Sequence, residues 1–361
     1  MRIPLVTMAV LCLAFAGCIG AKPAPETPAA VNASAEGGLN LQAMATGAPT
    51  SPVAATLDAP PEWRQGEWWT VTVHDGFDSA TYTGTRVVAG AEPDAYLVGM
   101  PADKFSTELM VLHIPGFGQV AKKDLSFDVH NVNFAPVSFP LTEGKTWKTA
   151  FEGRPITAVA HVKSPTEALV QLDGPNDHMN VTYDATIGEV RKIDYANYAT
   201  VEVTGHGYGY QGLVTVPHMF KLVFQQFRLG GVVGPGNAPA APDETVNVDN
   251  TYDRVSFVEI LAGASALTGQ AAPTGGGYFD EQVTGPDGKV YETTLMPTEG
   301  GSSPYKLAFF SVDKPGGVWK FHHVAAGPGV AEAEGIAYHV YDIELPSGRV
   351  LPSTGQHHHG G

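Results

Sequence analysis

Apolar and polar residues alternate with a period of two along most of the chain beyond residue 59. That period sends successive side chains to opposite faces of an extended strand. Residues 67–76 (EWWTVTVHDG), 79–90 (SATYTGTRVVAG) and 95–100 (AYLVGM) are the first such stretches, separated by Gly, Asp and Pro. Others follow at 125–134, 156–162, 167–174, 179–188, 189–196, 199–209 and 213–227. Together they predict an antiparallel meander of about ten strands across 59–230. Residues 102–113 (ADKFSTELMVLH) break the alternation and suit one short helix.

The alternation stops at 231–244, where Gly, Pro and Ala dominate and a linker is expected. It resumes in 253–263, 278–296, 305–312, 318–327 and 336–345. About six or seven strands across 245–350 predict a β-sandwich or jelly roll. Inside this run, QVTG-PDG-KVYETT reads as a hairpin whose Pro and Gly preset the turn dihedrals. The expected fold class is all-β: a large antiparallel curved sheet or half-barrel, then a smaller jelly-roll-like sandwich.

Composition supports this reading. A length of 361 residues leaves room for about two domains, and 42 Gly with 28 Pro suit many turns. The net charge of -16 argues against nucleic acid or an anionic membrane surface as a direct partner.

The first residues carry an address. Arg2 precedes an almost wholly apolar run, Ile3 to Ala16, which gives way to small residues, the order of an export signal over 1–17. Both cysteines, Cys12 and Cys18, lie here. Phe15-Ala16-Gly17-Cys18 resembles the lipobox of secreted bacterial or archaeal surface lipoproteins, with Phe15 where that family prefers Leu. The resemblance implies that Cys18 is lipidated and holds the chain to the membrane through an N-terminal lipid. Residues 18–58, rich in Ala, Pro, Thr and Ser, read as a disordered tether.

Two further resemblances concern the strand regions. Trp63-x-x-Gly66-x-Trp68-Trp69 and Phe139-Pro140-Leu141-x-x-Gly144-x-x-Trp147 are similar to anchor positions of periplasmic half-barrel proteins. That resemblance implies an apolar concavity in 59–230. GPDGKVYE and KPGGVWKFHHVAAG resemble the hairpin and late strand of jelly-roll modules in secreted prokaryotic proteins. Neither brings catalytic residues.

Few motifs carry chemistry. Gly207 to Gly212, GYGYQG, has the letters of a dinucleotide fingerprint, but the next stretch is a strand pattern closed by Pro217. Without a helix terminus there is no row of free amides for a pyrophosphate, so a turn between strands is expected and no cofactor. Among 13 histidines, His322 and His323 are adjacent and point to opposite faces of a strand. His339, on the following stretch, would stand beside one of them, with Asp342 or Glu344 at the rim, as a zinc or copper site. Asp249 and Asp253 lack the glycine turn and final Glu of a calcium loop. Asn180 and Asn32 open glycosylation sequons. Trp68, Trp147, Tyr208 and Tyr210 are candidate contacts for an apolar ligand.

Residues 351–361, LPSTGQHHHGG, form a flexible tail. They match a wall-sorting motif in letters, but no hydrophobic stretch follows Gly355. His357, His358 and His359 there are a second candidate metal set. These observations favour an exported, lipid-anchored, non-enzymatic surface protein that binds a hydrophobic small molecule or another surface protein. A surface hydrolase with paired carboxylates and a metal-handling protein built on these histidines stay open as alternatives.

Overall fold

In the computed structural model, the residues described are 56–75, 81–103, 116–129, 132–151, 154–175, 178–195, 199–230, 244–263, 278–291, 294–295, 305–326 and 329–351. The alternating stretches become strands, and no helix occurs among the described residues. The fold is all-β, as expected. The stretch 102–113 lies largely outside the described residues.

The first part of the chain supplies β1 (Trp68–Asp75), β2 (Thr81–Ala91), β3 (Ala95–Pro101), β4 (Gly118–Ala121), β5 (Phe127–Val129), β6 (Val132–Phe134) and β7 (Thr146–Phe151). It continues with β8 (Arg154–Ser164), β9 (Glu167–Asp173), β10 (His178–Asp184), β11 (Glu189–Tyr195), β12 (Ala199–Gly207) and β13 (Gly212–Gly230). Strands β7 to β12 form a meander that ends beside β1, so the order runs β3-β2-β1-β12-β11-β10-β9-β8-β7. Strand β4 pairs with β3, and β5 and β6 form a separate hairpin.

The second part supplies β14 (Glu244–Val248), β15 (Arg254–Gly263), β16 (Tyr278–Thr284), β17 (Val290–Tyr291), β18 (Thr294–Leu295), β19 (Tyr305–Asp313), β20 (Gly317–Ala326), β21 (Gly329–Leu345) and β22 (Arg349–Leu351). Strands β14, β20, β16 and β17 make a small sheet. The others extend the large sheet, because β13 pairs with β21 along almost its whole length and with β3 at Val214 and Thr215. The large sheet therefore runs from β18 at one edge to β7 at the other without closing into a barrel. Pro217, mid-strand, sits just past the last β13–β3 pair, where a missing amide hydrogen breaks no ladder on that side.

Three clusters fill the interior. Trp69, Val71 and Val73 of β1 face the main core, which also takes Leu57 and Trp63 from before β1 and Phe117, Leu125, Phe127, Phe134, Val137 and Leu141 from the region between β3 and β7. The alternate residue Trp68 points to the opposite face, where it meets a second cluster of Val87, Ala89, Val214, Val216 and Ile343. The third cluster joins the two sheets: Trp319, Phe321 and Val283 of the small sheet meet Val255, Phe257 and Ala337 of the large one. Phe257 lies 5.2 Å from Trp319 and 5.1 Å from Phe321, ring centre to ring centre. The Pro-Asp-Gly hairpin forms between β16 and β17, with Gly285 N–H donating to the Lys289 carbonyl and Gly288 at positive φ.

Candidate functional site

One row of side chains crosses the middle of the large sheet on its main-core face. Trp69 stands opposite Arg86 on β2 and opposite His206 on β12. His206 belongs to this row because of a bulge. The register steps from Val71–Val203 to Thr70–Gly205, leaving Thr204 unopposed and shifting the alternation by one residue. The His206 ring stacks on Trp69 at 5.6 Å, and the Arg86 guanidinium lies 5.8 Å from the same ring centre.

Each end of the row meets a carboxylate. Glu67, 4% exposed, accepts from the Arg64 N–H at 2.9 Å and stands 2.9 Å from His206 Nε2. Arg86 Nη1 lies 3.1 Å from Glu189 Oε2, with the two side chains 7% and 4% exposed. That contact is a charge pair without hydrogen-bond alignment, and Arg86 Nε and Glu189 Oε2 are both buried without a hydrogen-bond partner. Glu189 also accepts from the Val190 N–H at 2.7 Å. Burial pushes the Glu189 carboxyl above its ordinary range, against the opposing Arg86 charge. Arg86 Nη2 donates to the Gly116 carbonyl at 3.0 Å. A Cβ on Gly116, which has φ +96°, would fall 2.6 Å from that nitrogen, so a substitution here is strained and displaces the guanidinium.

Beside this pair lies a cavity of about 30 Å³, lined by Arg86, Glu189, Trp63, Val71, Phe127 and Ile193 among others. It holds about two water-sized spheres, against the several hundred Å³ of a typical ligand pocket. Trp63, in its wall, packs 4.9 Å from Trp69 and 4.8 Å from Tyr96, while its indole N–H donates to the Gly188 carbonyl. Glu67 and Glu189 are thus both buried and held by partners in the core, and Glu189 lines this small cavity.

None of the four aromatic contacts read from the sequence lines this cavity. Trp68 lies on the other face, its ring over Gly207, and Tyr210 packs against the same cluster. Trp147 sits on edge strand β7 and donates to the Ala135 carbonyl. Tyr208 is 54% exposed in the turn between β12 and β13, and no helix follows GYGYQG. Asn180 is half-buried on β10, paired to Gln171 and Asp194 on either side, with its side-chain oxygen buried.

The histidines are arranged differently from the expectation. His322 and His323 belong to β20 in the small sheet, whereas His339 belongs to β21 in the large one, so they are not strand neighbours. The residue opposite His339 is His218 on β13. Asp342 accepts instead from Thr215, and Glu344 pairs with Arg349. Asp253 binds Lys314 at 2.7 Å and His339 at 3.1 Å, and Asp249 caps its own turn through the Thr251 N–H. No group of three or more His, Cys, Asp or Glu converges for a metal among the described residues. Cys18, Asn32, His357, His358 and His359 lie outside the described residues.

Sequence reasoning passed over Arg86, Glu189 and Glu67. The usable signal was Arg86 itself: it shares the strand phase of Val88, so an arginine stood at an inward position.

No protein-family model and no curated protein matches the sequence. Among solved structures, that of PNGF-II in a C2 space group is similar over 76% of this chain and 67% of its own, at 9% identity and a TM-score of 0.20. A likeness that weak carries no argument about fold or activity.

Proposed function

We propose that this chain is an exported surface protein, held to the membrane by a lipid on Cys18, whose β-body binds another surface component and performs no catalysis. The observation that carries the reading is the filled main-core face. Among the described residues, segments before β1 and between β3 and β7 pack on the face on which an apolar ligand would lie, beside a cavity of about 30 Å³. Of the two binding modes open from the sequence, an external partner needs no internal space, whereas a lipid-sized guest needs several hundred Å³, so this packing supports the external partner. The buried carboxylates support the non-enzymatic part, since Glu67 is engaged by His206 and Glu189 by Arg86. The tether of residues 18–58 fits display at a distance from the membrane.

The test is cross-linking on intact cells of the native host, followed by extraction of the purified chain with organic solvent. The proposal expects a discrete cross-linked surface partner that is lost in cells producing Cys18→Ser, and no stoichiometric small molecule in the extract. An apolar compound recovered at one per chain would overturn it.

A further inference from the structure

His218 and His339 meet across the β13–β21 ladder. The antiparallel register of β13 and β21 sets the two residues directly opposite each other, and their ring centres are 5.7 Å apart. A metal about 2.1 Å from an imidazole nitrogen lies about 3.2 Å from that ring's centre. Two rings on one ion at a tetrahedral angle therefore have centres about 5.2 Å apart, and never more than about 6.4 Å. The observed separation falls inside that range.

Each ring is also prepared for the task. Asp253 Oδ2 stands 3.1 Å from His339 Nδ1, which leaves Nε2 of that ring for a second partner. A carboxylate on one imidazole nitrogen orients the ring and strengthens the other as a metal ligand. Tyr252 stacks on His339 at 5.0 Å and holds its plane. The side chain of His339 is 26% exposed, so an ion can reach it from solvent. His218 makes no hydrogen bond to any described residue; its ring lies flat on Tyr341 at 3.9 Å. Burial, with the neighbouring His339, drives its pKa down to about 4.

We propose that His218 and His339 form a two-imidazole site for a divalent late first-row metal, binding copper(II) more tightly than zinc, with water filling the remaining positions. Asp253 is a positioning residue: its other oxygen is held by Lys314, so it acts through His339 and does not ligate. Two protein ligands make the site open and exchangeable, unlike a closed structural zinc site. The preference for copper follows the general affinity order of these ions for nitrogen ligands.

The experiment uses the full chain with His357, His358 and His359 changed to Ala, which removes the tail triplet as a competing site. Copper(II) and zinc are titrated by calorimetry at pH 7. One copper per chain is expected, with zinc binding at least tenfold more weakly. His218→Phe, which keeps the stack on Tyr341, and His339→Ala are each expected to weaken copper binding at least about 30-fold. Asp253→Asn is expected to weaken it about 10- to 100-fold. Copper affinity within twofold of the parent in either histidine variant overturns the site. A second readout needs no substitution in the pair: histidine ring NMR signals during addition of substoichiometric copper. Broadening of His218 and His339 before all other histidines supports the site, and earlier broadening at any other histidine overturns it.

Discussion

Replacing Arg86 by Met leaves the buried Glu189 carboxylate without its opposite charge. At 3.1 Å the Arg86–Glu189 attraction is about 5 kcal/mol at an effective dielectric of about 20, and desolvation of both groups offsets much of it. Removing only the guanidinium leaves Glu189 buried without its counter-charge, a change that costs about 3–5 kcal/mol. Removing both charges, as in Arg86→Met with Glu189→Met, restores packing and should bring stability back to within about 1–2 kcal/mol of the parent. The pH dependence has a defined sign. Burial already raises the Glu189 carboxyl above its ordinary 4.5, and loss of Arg86 raises it further. A carboxyl raised on folding gives stability that is fully present below its unfolded value and lost as pH rises through the folded value. The cost of Arg86→Met must therefore be largest at neutral pH and shrink as pH falls towards 4.5. Urea unfolding followed by tryptophan fluorescence at pH 7.5 and 4.5 reads this, with the midpoint at pH 7.5 expected to fall by about 1–2 M. A fall below about 0.3 M, a cost that does not shrink in acid, or a double variant as unstable as the single one would refute the reasoning.

The other predictions probe the packing and the anchor. Trp63→Ala should cost about 3–5 kcal/mol and enlarge the cavity enough to bind a benzene-sized molecule, which the parent does not bind; calorimetry with benzene checks this. Tyr183→Phe should be neutral or stabilising by up to about 1 kcal/mol, because the buried Tyr183 hydroxyl has no hydrogen-bond partner; a thermal melt showing a clear loss contradicts it. Gly207→Ala should destabilise by about 1–3 kcal/mol, since a Cβ there would sit 2.6 Å from the Trp68 ring. A melting temperature equal to the parent's would refute that close approach. Cys18→Ser should move the chain from the membrane fraction to the soluble fraction in the native host, read by fractionation.

Much of the fold was legible because its determinants are local. The alternation in 67–76 and 199–209 became β1 and β12, and the Pro-Asp-Gly turn formed between its two strands. Short strands escaped. β4, β7 and β14 have four to six residues each, too few for a period to declare itself against the polar positions between. Neighbourhood across the sheet was out of reach. β20 and β21 follow one another in sequence, which favours a hairpin, yet the chain passes there from the small sheet to the large one. His339 consequently meets His218, not His322 or His323. The Arg86–Glu189 pair joins β2 to β11 through the core, and His206 joins their row only through the bulge at Thr204, which alternation alone does not reveal.

Native mass spectrometry of the chain from host membranes tests the proposed lipid anchor and the filled interior at once. The predicted species begins at Cys18, carries covalent acyl groups and holds no small organic molecule. A chain without acyl groups, or one carrying a stoichiometric apolar guest, would contradict it.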